Sequence, residues 1–133
     1  MRFSGTTLVL AILLFASCAD DDSEMYPNGE NRLTQQSFEA LLQDMADGWN
    51  QGDATKAANC FTKDAIYVEP PNKQLYRGRE ALYQFFGGDS GRAGVMSMTW
   101  RNITFDPEHQ IGSGEFSFTY GSTVHGVTMI QIK

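Results

Sequence analysis

MADGWNQGDATKAANCFTKDAIYVEPPNKQLYRGREALYQFF, residues 45–86, holds the end of one helix, a second short helix, a strand and a third helix in direct succession. Upstream of it the first helix reads LTQQSFEALLQDMADGWNQGD, with Phe38, Leu41, Leu42, Met45 and Trp49 at helical spacing on one stripe. Thr34 has the position of an N-cap, Leu33 and Phe38 the spacing of a hydrophobic staple, and Gly52 that of a helix stop. Asp53 can cap a second helix over residues 54–61. The run KDAIYVEPP then reads as a strand, because Pro70 and Pro71 cannot continue a ladder, and GREALYQFF reads as a third helix.

Downstream the period falls from 3.6 to 2. GVMSMTWRNITF, GEFSFTYG and STVHGVTMIQIK each alternate and are each bounded by Gly, Pro or Asp, which predicts three long antiparallel strands. Helices first and strands afterwards make an α+β domain, with N-terminal helices packed on one face of a curved antiparallel sheet.

The order and wording of residues 33–133 resemble the nuclear transport factor 2-like superfamily, which includes ketosteroid isomerases and SnoaL-like polyketide cyclases. The resemblance is carried by a long helix closing on WNQGD, a helix ending CFTKDA, a strand into EPP, and YRGREALYQFF. It implies a cone-shaped fold whose sheet wraps the long helix, a largely apolar pocket open at one end, and a homodimer through the outer sheet face. Relatives commonly add another strand after the one matching HGVTMIQI. Here the sequence stops at Lys133, so either the chain is truncated or that strand is lacking.

The resemblance also places Glu69 where ketosteroid isomerases have their general base, at the end of the first strand just before a proline. The same comparison puts Met45 where those enzymes have an oxyanion-binding tyrosine and Thr128 where they have an assisting protonated acid. One donor is lost and the other weakened to a hydroxyl, and oxyanion stabilisation is usually the largest catalytic contribution, so steroid isomerisation is not expected. Strand alternation puts Tyr67 on the face of Glu69, and that pair could move a proton as the catalytic residues. Met45, Trp49, Phe116, Phe118, Tyr120 and Thr128 are the candidate ligand-binding residues, with plain core packing as the alternative for the aromatic stripes. His125 shares a face with Val127, Met129 and Gln131 and is expected on the outer sheet. His109 lies in an Asp-Pro turn and is expected to be solvated. Arg77 and Arg79 flank Gly78, as an anion contact or a solvated turn. Two scattered histidines and no ligand spacing predict no metal site, and no cofactor is expected.

Outward from the domain, residues 1–17 read as a lipoprotein signal peptide: Arg2, then an apolar run from Leu8 to Ala16. Nine apolar residues are too few for a bilayer core that needs about 20. FASC, residues 15–18, resembles the lipobox of bacterial lipoproteins, which implies acylation of Cys18 and a lipid bilayer as partner; an ordinary cleaved signal is the alternative. Residues 18–31 hold five acids and no base and read as a disordered tether. The implied location is the bacterial cell envelope, on the outer membrane, facing either the surface or the periplasm.

Residues 32–133 carry 11 acids and 9 bases, a net of −2 against −6 for the whole chain, so the acidity is largely the tether's and nucleic acid is not an expected partner. With Cys18 lipidated, Cys60 has no intrachain partner and reads as a small buried hydrophobe. The expectation is an envelope lipoprotein whose pocket binds a small, mainly apolar molecule. The alternatives are an isomerase, cyclase or hydrolase-type enzyme with Glu69 as general base, and an accessory protein-docking domain.

Overall fold

Helix α1 (Gln35–Gln51) starts where Thr34 leaves the extended region, at φ −97° and ψ 172°. The Thr34 hydroxyl accepts from the Ser37 amide at 3.2 Å, while the Thr34 amide donates to the Ser37 hydroxyl at 2.8 Å, so two of the orphan amides of the first turn are satisfied reciprocally. The helix ends at Gly52 in the left-handed region, φ 75°. Asp53 accepts from the Lys56 amide at 2.9 Å and starts α2 (Ala54–Asn59), two residues shorter than the pattern suggests because Cys60 already closes it. The computed structural model describes residues 10–15, 32–69, 74–91 and 96–133, with the backbone alone for 10–15 and 69. The Cys18 and tether readings lie outside these residues. Among the described residues no helix is long and apolar enough to cross a membrane.

Six strands form one sheet: β1 (Leu10–Phe15), β2 (Ile66–Glu69), β3 (Gln74–Arg77), β4 (Ser97–Asp106), β5 (Ile111–Tyr120) and β6 (Ser122–Ile132). Their spatial order is β3-β2-β1-β6-β5-β4. Helix α3 (Arg79–Phe85) follows β3, and a 3₁₀ turn covers Gly88–Ser90. All ladders are antiparallel except β1–β6, which pairs Leu10 with Val127 through Phe15 with Ile132 in parallel. Two strands are additional to the sequence pattern. QLYR alternates poorly and becomes β3 by pairing with β2. Leu10–Phe15, read above as leader, lies between β2 and β6.

The register settles which face of the sheet is inward. Opposite residues of an antiparallel pair share a face, and Met98↔Phe118, Phe116↔Gly126, Gly114↔Thr128 and Gly112↔Ile130 line the side covered by α1. Thr128, Ile130 and Ile132 are buried there, whereas His125 and Met129 are exposed on the other side. Two glycines in β5 let large rings lie against the backbone. A Cβ at Gly112 would fall 2.3 Å from Phe38, and one at Gly114 would fall 3.0 Å from the Trp100 ring. The core combines Phe38, Leu41, Leu42, Met45 and Trp49 of α1 with Ala57, Phe61, Leu82, Phe86 and β6.

Side-chain amides clamp α1 at both ends. At its start, Gln110 accepts from the Leu33 amide at 2.9 Å and donates to the Leu33 carbonyl at 3.0 Å. At its last turn, the Asn50 carboxamide accepts from the Met98 amide at 2.6 Å and donates to the Met98 carbonyl at 3.0 Å. A carboxamide used in this way imitates one rung of a β-ladder on the edge strand β4, whose Ile103 carbonyl likewise accepts from the Gln35 carboxamide at 3.1 Å. Asn50→Ala is expected to cost roughly 1–2 kcal/mol, read by urea denaturation; an unchanged midpoint would mean that water replaces the clamp.

Candidate functional site: an aromatic cluster beside the end of β2

Aromatic residues from α1, α3, β2, β3 and β5 meet on the inner side of the sheet. Trp49, in the last turn of α1, stands edge-on to Phe85, Phe86 and Phe118, with centroids 5.5, 4.6 and 5.2 Å away. From Phe86 the contacts run on to Phe61 at 5.8 Å, from Phe61 to Tyr67 at 6.2 Å, and from Tyr67 to Tyr76 at 6.0 Å. Phe85 closes the circuit, 4.4 Å from Tyr76 and 5.7 Å from Tyr67. The tilted and edge-on geometries are those that the ring quadrupoles favour. Trp100 and Phe116 extend the same inner face, with centroids 6.0 Å apart. Trp49, Phe61 and Phe86 are buried, whereas Tyr67, Tyr76, Phe85, Trp100, Phe116 and Phe118 keep partial exposure.

The placement of the sequence candidates follows from this frame. Met45 and Trp49 lie one helical turn apart on the buried stripe of α1, at 2 % and 6 % exposure. Phe118 touches Trp49, and Phe116 touches Trp100. Thr128 is buried on the same face, opposite Gly114. Tyr120 is not brought into the group: it stands at the end of β5 and is 48 % exposed. Tyr67 belongs to the cluster. The backbone of Glu69 ends β2 opposite Gln74, and its side chain lies outside the described residues. Beside that end the Tyr76 hydroxyl is hydrogen-bonded to the Gln74 carboxamide.

The polar atoms of the cluster matter most for its chemistry. The indole N–H groups of Trp49 and Trp100 are buried with no hydrogen-bond partner among the described residues. An orphaned buried donor costs roughly 1–3 kcal/mol, so such groups are few in native structures and call for an explanation. Periodicity places Trp49 in the core and gives no sign that its nitrogen is left over. Asn50 was likewise illegible, since a side chain that binds backbone of a distant strand leaves no trace in the pattern.

Other candidates have local roles. Arg79 donates through Nε to the Phe61 carbonyl at 2.8 Å, tying α3 to the end of α2, and Arg77 is exposed. His109 is exposed and hydrogen-bonds Asp106 at 2.7 Å; that contact and the backbone amides of the turn hold the Asp106 carboxyl below its ordinary pKa. His125 pairs with Ser117 across the outer face at 2.8 Å. Cys60 is buried, its thiol 3.5 Å from the Lys56 carbonyl.

Solved structures share this architecture. A protein of unknown function with a cystatin-like fold from Methylobium petroleophilum PM1 aligns over 77 % of this chain and 70 % of its own, at 17 % identity and a TM-score of 0.63. SalBIII, an epoxide hydrolase/cyclase-like enzyme of pyran ring formation in the polyether salinomycin, aligns over 73 % of this chain and 92 % of its own, at 14 % identity and a TM-score of 0.58. An NTF-2 like protein of unknown function from Burkholderia xenovorans LB400 aligns over 73 % and 85 %, at 17 % identity and a TM-score of 0.53. At these identities the likeness is one of fold. No protein of curated function matches the sequence significantly. The family model of the SnoaL-like domain matches residues 42–132, from the middle of α1 to the last residue of β6, and the chain therefore belongs to the SnoaL-like domain family.

Proposed function

We propose that this domain binds a small, mainly apolar molecule on the concave side of its sheet, against Met45, Trp49, Phe116, Phe118 and Thr128. The observation that carries the reading is the partial exposure of six inward-facing aromatic residues around a buried Trp49. A domain of this size gains stability by covering such rings, and aromatic walls left open on a concave face are the usual lining of a small-molecule site. Fluorescence titration of the full-length chain with naphthalene derivatives tests it. Saturable quenching with micromolar midpoints is expected, and its absence across the series sinks the proposal.

A second reading, an isomerase, cyclase or hydrolase-type enzyme, is favoured by β2, which carries Tyr67 in the aromatic cluster and ends at Glu69. In this reading Glu69 is the general base and Tyr67 its proton-donating neighbour on the same strand face. Glu69→Gln is expected to abolish turnover of any enolisable or epoxide substrate while binding persists. Turnover that survives the substitution removes Glu69 from the chemistry.

The domain is further proposed to work from a lipid anchor at Cys18 in the bacterial envelope and to pair as a homodimer through its outer sheet face, where Met129 and Ile111 are exposed. Cleavage ahead of Cys18 would take β1 with it, leaving β2 and β6 as facing edges. Intact mass of the membrane-extracted protein decides this. An acylated species starting at Cys18 supports the anchor, whereas an N-terminus at Met1 removes it and keeps β1 in the sheet.

A further inference from the structure

Resting on the apolar site proposed above, we propose that Trp49 is its specificity-determining residue and selects ligands that carry an uncharged acceptor oxygen on a flat apolar body. The Trp49 nitrogen is a donor only, it is buried, and no described residue accepts from it. Its ring is ringed by Phe85, Phe86 and Phe118, which supply apolar contact and no acceptor lone pair. Met45, one turn earlier on the same stripe, supplies no strong acceptor either. A bound molecule with an oxygen within reach of the indole would satisfy a donor that the described residues leave unpaired. A hydrocarbon of the same shape would leave it unpaired, and a site with a buried donor rejects the analogue that lacks its acceptor. An anion is disfavoured as well. Its charge would be desolvated among phenyl rings with one neutral donor to meet it; Lys56 is already paired with Asp44 and Asp47, and Arg79 is bonded to the Phe61 carbonyl.

The test compares 2-acetylnaphthalene with 2-ethylnaphthalene, which differ in a carbonyl oxygen and little in shape, on the full-length chain and on Trp49→Phe. The ratio of the acetyl to the ethyl affinity is expected to be about fivefold higher in the natural protein than in Trp49→Phe, as one net hydrogen bond implies. A readout on the unmutated protein stands beside it, in case the variant does not fold. The Trp49 indole N–H resonance, told apart from that of Trp100 by Trp100→Phe, is expected to shift downfield with the acetyl compound and not with the ethyl compound. Equal affinity ratios in the two proteins, equal shifts with the two ligands, or a shift confined to Trp100 would overturn the role of Trp49 while the apolar site stands. Failure of both ligands to bind would overturn the apolar site itself.

Discussion

Phe38→Ala is expected to lower the unfolding free energy by about 3–5 kcal/mol, which for a domain of ordinary stability is a large part of the total. The ring is fully buried, stacked on Phe105 with centroids 4.5 Å apart, and lies where a side chain on Gly112 would otherwise stand. The wall behind it is therefore strand backbone, held in register on both sides by β4 and β6. Backbone of that kind cannot move in to fill the space. Truncation leaves a cavity instead of a collapsed core, which puts the cost at the upper end for such changes. Denaturant unfolding checks the value, and a loss below about 1 kcal/mol would mean that α1 settles onto the sheet after all.

Gly48→Ala is expected to destabilise the domain by about 3 kcal/mol, against the sign that helix propensity alone gives. Alanine in place of a mid-helix glycine should stabilise by about 1 kcal/mol. Here the new Cβ would stand 2.6 Å from the backbone nitrogen and 3.0 Å from the Cα of Ala57, so α1 and α2 would have to separate. Overpacking that displaces backbone costs about 1–3 kcal/mol, occasionally more. The same shift would strain the amide of Asp53, which donates to the Gly48 carbonyl at 2.9 Å, and so the turn that starts α2. A thermal melt decides it: a raised midpoint would show that the helices have slack at their crossing.

What the sequence makes legible is whatever is written in local signals. Thr34, Gly52 and Asp53 are short-range punctuation, and the helices they bound lie where the spacing puts them. Alternation separates Thr128, Ile130 and Ile132 from His125, and burial makes the former the inner face and leaves His125 on the outer one. It fixes a face, however, and not a depth. Tyr120 alternates with Phe116 and Phe118, yet it stands at the strand end beyond the cover of α1 and remains exposed. β3 is illegible for another reason, since its four residues have little burial to impose a pattern and exist as a strand because β2 offers a partner. The leftover donor on Trp49 could not be foreseen at all. Whether a buried nitrogen finds an acceptor depends on every neighbour in three dimensions.

Strand β1 has a kinetic consequence. The ribbon β2–β3 and the meander β4–β5–β6 are each built from neighbours in sequence, so each closes short loops. Within the sheet their union runs through residues 10–15 meeting residues 127–132, which closes the longest loop among the described ladders. The seam through the middle of the sheet is thus the last part to be laid down in folding. In native-state hydrogen exchange it is expected to open first, parting a two-stranded leaf from a three-stranded one while α1 stays clamped to the larger leaf by Gln110 and Asn50.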